Sequence, residues 1–434
     1  MTGASFSDSD IDVLLRPLAG QEAVALAVSG GSDSMALMHL AARWHARASG
    51  RSTGLTVLSV DHGLRPEAPA EAQHVARVAR SLGLKAAVLR WEGAKPGTGI
   101  QAAARIARYD LMAGYAHAHG IGAIVTAHHL EDQAETLVMR LARGSGVDGL
   151  GGISDSIAWA GIAVLRPLLT VPKARLRAYA QSERIKWVED PSNENPHFER
   201  VRVRAALDEL EKLGVTRAAL ARTARRMARA REALDATAGD FFSAHVSVSP
   251  LGYCTLDRDA LGMLPEEIAL RAMARALTGV GGGSAPVGAA KLEALADRLR
   301  DGSAVVRTLA GCRIDAAQAR ITLTREPGRA GLDEMRLRPG DSVLWDRRFT
   351  MSLSHEAEGT ATVRALGHRG LGLVRAQCGR PIAIPGRVAA GLAAFWQGEE
   401  VISVPALGFS ACGTGAGSAC FRSEFVALAP LCRH

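Results

Sequence analysis

The fold of this chain is decided by the stretch Val24-Ala25-Leu26-Ala27-Val28-Ser29-Gly30-Gly31-Ser32-Asp33-Ser34-Met35. Its apolar half, residues 24–28, predicts a buried strand, and the amphipathic residues 34–47 predict a helix directly after it. Between them, paired glycines let backbone amides approach an anion closely, hydroxyls add donors, and the helix N-terminus adds the positive end of its dipole. The stretch therefore predicts a phosphate-binding loop.

Short apolar runs alternate with amphipathic stretches through the first part of the chain. The predicted strands are residues 24–28, 55–60, 85–89 and 121–126, and the predicted helices are residues 34–47, 70–82 and 100–119. This alternation predicts an α/β fold with a doubly wound parallel sheet. Ligands of such sheets bind beyond the carboxyl ends of the strands, so the residues that follow each strand are the candidate site.

The loop lacks the Gly-Lys-Ser/Thr ending of a Walker A motif, so no lysine of that kind reaches a terminal phosphoryl group. Cleavage of ATP between its α and β phosphates suits such a loop better. Asp33 is also the candidate ligand of Mg²⁺, which prefers carboxylate oxygens. The competing interpretation is that Ser32, Asp33 or Ser34 only caps the helix. The candidate ATP-binding residues are Ser29, Gly30, Gly31, Ser32, Asp33 and Ser34.

A second group of polar residues follows the predicted strand at 121–126. Asp132 and Glu135 are three positions apart, so a helix places both carboxylates on one face. They could hold a cationic substrate group or accept a proton from an attacking amine. Alternatively, they are acidic residues that favour the first turn of a helix. His128 and His129 also allow a metal site, although no Glu-x-x-His or His-x-x-x-His frame supports one.

The loop resembles the pyrophosphate loop of the N-type ATP pyrophosphatases, and the chain as a whole resembles the tRNA(Ile)-lysidine synthase family. The order and spacing of the motifs match over nearly the whole chain. The resemblance implies that ATP adenylates the C2 oxygen of the wobble cytidine in a tRNA(Ile) with a CAU anticodon, after which the amine of free lysine displaces AMP. The matching motifs are residues 29–34, 61–65, 104–109, 127–136, 143–146 and 189–193.

The same resemblance implies roles for individual residues. Arg65 and Arg105 would steady the triphosphate of ATP. Asp132 and Glu135 would hold the lysine and its amine, and together with Asp33 they form the candidate catalytic set. Three arginines at the start of the next predicted helix would contact tRNA or ATP phosphates, unless they are exposed side chains without a specific partner. These arginines are Arg200, Arg202 and Arg204.

Three positions depart from the usual residues of the family. Glu131 stands in place of aspartate, Gln101 in place of glutamate, and Val201 in place of asparagine. Glu131 keeps the charge but lengthens the side chain, so we leave it outside the catalytic set. Gln101 lacks the negative charge that would hold a nearby arginine.

The length of 434 residues exceeds what one hydrophobic core usually serves, so we expect several domains. We assign residues 1–200 to the catalytic domain, residues 201–330 to a connecting helix and a mainly helical tRNA-binding domain, and residues 331–434 to a small α+β tRNA-binding domain. Residues 200–235 predict one arginine-rich helix with a basic face. Further predicted elements are a helix at 291–300 and strands at 305–309, 321–323, 382–384 and 401–404.

Composition limits the remaining classes. The formal net charge of +8 suits a polyanionic partner without proving one. No apolar run is long enough to span a membrane, and the N-terminal residues have no basic start or apolar block, so we expect a cytoplasmic protein. Among its partners we leave open a second copy of the chain in a homodimer. No cysteine precedes Cys254, which argues against sulfur transfer at the loop. The alternatives are another tRNA-modifying enzyme with such a loop and a nonenzymatic RNA-binding protein.

Overall fold

The computed structural model describes residues 5–47, 53–189, 197–283, 287–378, 381–411 and 420–428. Contacts between residues divide the chain into two compact units, Met1–Arg231 and Glu232–His434. The domain boundaries at residues 200 and 330 stay a prediction.

The first unit contains a six-stranded sheet in which parallel pairing dominates. Its strands are β1 (Ala23–Ala27), β2 (Gly54–Asp61), β3 (Lys85–Arg90), β4 (Ala123–Val125), β5 (Ser156–Trp159) and β6 (Ile162–Leu165). The order across the sheet is β3-β2-β1-β4-β6-β5. All pairings are parallel except that of β5 with β6. The predicted parallel sheet is therefore confirmed.

Helices cover both faces of this sheet. The helices that begin within the described part of the first unit are α1 (Asp8–Leu15), α2 (Ser32–Arg47), α3 (Ala68–Ser81), α4 (Ile100–Ala118), α5 (Leu130–Leu141), α6 (Val147–Leu150), α7 (Lys173–Ser182), α8 (Glu199–Lys212) and α9 (Arg217–His245). In β1, Val24 and Leu26 pack into the core shared with α1, α2, α3 and α7, whereas Ala25 packs into the core shared with α4. Because side chains alternate along a strand, both faces of β1 are buried, as a doubly wound sheet requires.

The chain reverses its direction of travel across the sheet at β1. It proceeds from β1 to β2 and β3 on one side, and then returns to β4 on the other side of β1. The parallel neighbours β1 and β4 consequently end at the same edge, where their connections to α2 and α5 diverge. Such a reversal opens a crevice at the carboxyl ends of the strands.

The antiparallel hairpin of β5 and β6 was not predicted. Its two-residue turn consists of Ala160 at φ 46° and Gly161 at φ 81°. Positive φ at both central residues defines the turn type that joins tight hairpins, but alanine at the first position carries none of the usual sequence signal.

Two predictions about secondary structure were wrong. The arginine-rich segment forms two helices, α8 and α9, because Gly214 interrupts it at φ 87°. Residues 382–384 are not a strand. They lie between Pro381 and Pro385, which have no N–H to donate to a strand ladder.

The second unit contains antiparallel sheets and short helices. One five-stranded sheet has the order β7-β8-β11-β10-β9, formed by Val246–Ser249, Tyr253–Asp257, Arg320–Arg325, Cys312–Ala317 and Val305–Leu309 in that order. It packs with α10 (Arg258–Gly262), α11 (Glu266–Gly281) and α12 (Ala289–Arg300). The predicted helix at 291–300 and the strands at 305–309 and 321–323 are confirmed.

Two further sheets complete this unit. The five-stranded one has the order β12-β15-β16-β17-β18, formed by Met335–Leu337, Ala361–Ala365, Ala393–Gln397, Glu400–Val404 and Phe409–Ser410. The three-stranded one has the order β13-β14-β19, formed by Ser342–Trp345, Phe349–Leu353 and Phe421–Phe425. Helices α13 (Gly367–Gln377) and α14 (Gly386–Ala389) accompany them. None of the described helices is long and apolar enough to cross a membrane.

Candidate functional site

The loop after β1 is closed by its own hydroxyl groups. The buried Ser34 hydroxyl donates to the Gly31 carbonyl oxygen at 3.0 Å and accepts from the Ser29 N–H at 3.2 Å. Gly30 has φ 91°, a conformation that favours glycine, and its carbonyl oxygen accepts from the Val188 N–H at 2.9 Å. The loop is therefore held in one shape from within and from the segment that follows α7.

Some backbone donors of this loop take no part in the hydrogen bonds that hold it. Among the described residues, no acceptor pairs with the N–H groups of Gly31, Ser32 and Asp33. The last two open α2, whose first turn has no intrahelical acceptors for its N–H groups. Free amides at the positive end of a helix are a general anion-binding arrangement. The loop thus has the donors that a pyrophosphate group requires.

The Asp33 carboxylate lies between two cationic side chains. Its Oδ2 is 3.5 Å from His129 Nε2 and 3.9 Å from Lys173 Nζ, and its Oδ1 accepts from the Ser32 hydroxyl at 3.3 Å. Burial alone would raise the pKa of Asp33, but the hydrogen bond and charge of His129, together with the charge of Lys173, bring it below its ordinary value. Asp33 is therefore ionised at neutral pH.

His129 joins this loop to the first turn of α5. Its Nδ1 lies 3.1 Å from Glu131 Oε2, and its Nε2 lies 3.6 Å from Asp132 Oδ2. Burial would lower the pKa of His129, but Asp33, Glu131 and Asp132 raise it to about 10. His129 is then an imidazolium whose ring nitrogens both carry protons. No cluster of metal-binding side chains occurs within the described ranges.

Lys173 is a residue that sequence reasoning missed. It is the first residue of α7, and its backbone N–H donates to Glu131 Oε2 at 2.8 Å. The Walker pattern looks for a lysine inside the loop, whereas this one comes from a distant segment, so no local spacing reveals it. Glu131, left outside the catalytic set, positions both His129 and Lys173.

Both predicted lysine-binding carboxylates already have partners within the protein. Asp132 Oδ2 accepts from the backbone N–H of His129 at 2.9 Å and so caps α5. Glu135 is 2% exposed, and its Oε1 accepts from Arg204 Nε at 2.6 Å. Arg200 Nε lies 4.0 Å from Glu135 Oε2. Both carboxylates belong to α5, and their role towards lysine stays a prediction.

The other predicted arginines are spread over the first unit. Arg65 pairs with Glu71 at 2.8 Å, and Arg202 Nη1 donates to the His197 carbonyl oxygen at 2.9 Å. Arg105 lies over the Tyr109 ring, 5.2 Å from its centroid. Their contacts with ATP or tRNA stay predictions. Of the motif at residues 189–193, only Glu189 lies within the described residues.

His128 also lies at the edge where β1 and β4 end, on the side that faces α4. Its Nδ1 is 2.8 Å from the Thr126 hydroxyl oxygen. The pKa of His128 is lowered to about 3, mainly by burial. The charge of Asp132 opposes this shift. The positive charges of Arg166, Arg105 and Arg108 add to it. His128 is therefore neutral. Sequence reasoning missed the electrostatic effect of Arg166, because only the fold brings the end of β6 beside α4.

Comparisons with known proteins agree with this geometry. The family model for the PP-loop domain matches residues 5–211. The tRNA(Ile)-lysidine synthase of Rhodopseudomonas palustris is 44% identical over 321 residues, which cover 71% of this chain and 92% of that protein. The protein of the same name from Methylobacterium nodulans is 44% identical over 316 residues, covering 70% and 91%. That of Ruegeria pomeroyi is 37% identical over 401 residues, covering 89% of each chain.

The parallel sheet, the amide-lined loop and the family match define a protein of the PP-loop class, whose domain uses ATP. The extent of the similarity narrows this class further. The chain belongs to the tRNA(Ile)-lysidine synthase family, and it is accordingly a ligase.

Proposed function

We propose that this protein joins lysine to C2 of the wobble cytidine in tRNA(Ile) with a CAU anticodon, through an adenylated RNA intermediate and with release of pyrophosphate and AMP. The substrate is inferred from the names of its relatives. The observation that carries the chemistry is the ionised Asp33, held between His129 and Lys173 beside free loop amides. As a tRNA-modifying enzyme, it would act in the cytoplasm.

The first step is adenylation of the cytidine C2 oxygen. A bond forms between that oxygen and the α phosphorus, and the bond from the α phosphorus to the leaving pyrophosphate breaks. The amides of Gly31, Ser32 and Asp33 would bind the pyrophosphate, and Lys173 would offset the charge that develops on it. A neutral pyrimidine oxygen is a poor leaving group, so converting it into AMP makes the second step feasible.

Asp33 also fits the proposed Mg²⁺ site. Mg²⁺ usually takes one or two carboxylates and completes its shell with phosphate oxygens and water. Asp33 is ionised and its side chain is 22% exposed, so it can supply one such ligand while the substrate supplies the others. Bound Mg²⁺ would neutralise phosphate charge. Asp33 would hold it at the mouth of the loop.

The second step is attack by the lysine amine. The new bond joins the amine nitrogen to C2, and the bond from C2 to the adenylated oxygen breaks, which releases AMP. The attacking amine must lose a proton, and a carboxylate on α5 has a charge suited to accepting it. We assign this role to Asp132 and Glu135. Because Glu135 already holds Arg204, lysine would share that carboxylate or displace the guanidinium.

The test combines purified protein, ATP, lysine, Mg²⁺ and unmodified tRNA(Ile). We expect equal amounts of pyrophosphate and AMP, with lysidine detected by mass spectrometry of the digested tRNA. ADP and orthophosphate would contradict the proposal. Pyrophosphate release with a different nucleoside would indicate another PP-loop modifying enzyme, and RNA binding without pyrophosphate would indicate a nonenzymatic RNA-binding protein. Asp33→Ala should abolish pyrophosphate release and leave tRNA binding intact.

A further inference from the structure

Helix α9 carries four exposed arginines on one face within the first unit. We call them the arginine stripe: Arg222, Arg225, Arg226 and Arg229. The last three lie three, four and seven positions after Arg222, so all four are on the same side of the helix. They extend over about 10 Å, or two helical turns.

The charge of the stripe is not neutralised by carboxylates of the described residues. In the part of the chain that the structure describes, no carboxylate oxygen lies within 4.0 Å of these four guanidinium groups. Arg217, at the start of the same helix, shows the contrast, because it pairs with Asp208 and Glu211. Like charges at helical spacing repel one another, so the stripe lowers helix stability unless an anion binds it.

The opposite face of α9 contacts residues 151–153, which we call the glycine segment and which a side chain of α5 holds in place. Ala224 is fully buried against Gly152, where an added Cβ would lie 3.1 Å from the Ala224 Cβ. Gln133 of α5 holds the adjacent residue Ile153 through two hydrogen bonds of 2.7 Å, one in each direction. Gln133 lies between Asp132 and Glu135 in the sequence. The glycine segment therefore sets the position of the stripe relative to those carboxylates.

We propose that the arginine stripe binds the sugar-phosphate backbone of the RNA substrate and thereby sets where that RNA lies relative to α5. This inference rests on the proposed function for the identity of the RNA. Guanidinium groups match phosphate geometry with two parallel hydrogen bonds. A row of four groups suits a row of phosphates, whereas a single small anion would require converging side chains. The triphosphate of ATP has its own donors in the loop after β1.

The test replaces all four stripe residues with glutamine and measures tRNA binding over a series of salt concentrations. Each lost phosphate contact lowers the slope of log affinity against log salt by about 0.7 to 0.9, so the variant should lose about 3 from the wild-type slope. The KM for tRNA should rise at least about tenfold, since phosphate contacts supply much of the affinity. The KM values for ATP and lysine should stay within about twofold, because small substrates do not use these contacts.

The matched control removes the same charge from another part of the first unit. Arg16, Arg77, Arg80 and Lys85 are exposed and lie in segments that lead into the amino ends of β1 and β3. Their replacement by glutamine should leave the slope and the KM for tRNA unchanged. Single substitutions R222Q and R226Q keep the test valid if the fourfold variant does not fold.

The outcomes separate this inference from the proposed function. An unchanged salt slope in the stripe variant, or an equal loss in the control, would overturn the role of the stripe even if the wild type makes lysidine. Conversely, a wild type that makes no lysidine but shows the stripe-dependent slope would refute the proposed reaction and leave the RNA-binding surface in place.

Discussion

His128 and His129 are consecutive residues with different charge states, neutral and positive. His129 is surrounded by carboxylates, which raise its pKa to about 10, whereas His128 is buried beside arginines, and its pKa falls to about 3. Both residues follow β4, at the edge of the sheet where the strands end. The His129 ring faces the loop after β1, whereas the His128 ring faces α4. Neither histidine titrates near neutral pH, so we do not assign either of them as the general base.

At the residue scale, Lys173 gives the first prediction. Lys173→Gln should lower kcat for pyrophosphate release about 100-fold, because removing one group that stabilises developing charge typically costs that much. The thermal midpoint should change little, since the Lys173 side chain is 42% exposed. Lys173→Arg keeps the charge and should retain part of the activity. Steady-state release of pyrophosphate measures both variants, and full activity of Lys173→Gln would rule out the assignment.

The pair of Glu135 and Arg204 gives a second prediction at this scale. Glu135→Gln should raise the KM for lysine more than the KM for ATP, and it should destabilise the fold by about 1–3 kcal/mol because it leaves Arg204 without its ionic partner. The double variant Glu135→Gln/Arg204→Gln should recover stability without recovering the KM for lysine. If stability and lysine affinity recover together, Glu135 is a structural residue and does not bind lysine.

At the scale of elements, Gly152 joins α5 to α9. An alanine Cβ there would lie 2.3 Å from Gln133 Oε1, and the residue has φ 68°. Gly152→Ala should therefore move the two helices apart, lowering kcat at least about tenfold with a smaller effect on tRNA affinity, because small displacements of reacting groups are costly. Gly214→Ala is the control, since Gly214 also has positive φ but open space around it. Equal loss of kcat in both variants would assign the effect to backbone strain alone.

Regular elements could be predicted wherever local patterns determine them. The strands β1, β2 and β3 were each predicted to within two residues, because continuous apolar runs mark strands that are buried on both faces. The hairpin of β5 and β6 was missed because its four-residue strands are short and its turn lacks a typical residue pair. The loop was also predictable from a local pattern, because its glycines and hydroxyl residues stand between a predicted strand and a predicted helix. The contacts of Lys173 with Asp33 and of Arg204 with Glu135 could not be predicted in this way, because only tertiary packing brings these residues together.

At the scale of the whole molecule, two buried thiols in the described part of the second unit report on its folding. Cys254 and Cys312 are fully buried among apolar side chains of the same core. Burial raises the pKa of Cys312 to about 12, and it raises that of Cys254 further. At pH 8 both should resist alkylation in the native protein and react once the unit unfolds, while the partly exposed Cys378 reacts at once. Peptide mass spectrometry after timed labelling distinguishes the three sites.

These thiols also give the second unit a defined dependence on pH. In the unfolded chain each thiol ionises near its ordinary pKa of 9.0, whereas burial keeps it protonated in the folded unit. Above that pH the unfolded state binds fewer protons than the folded state, so the free energy of unfolding should fall by about 1.4 kcal/mol per pH unit for each thiol. Urea unfolding between pH 8 and about pH 10.5 measures the slope. Replacing both residues with alanine should flatten it, Cys378→Ala should not, and an unchanged slope in the double variant would contradict the linkage.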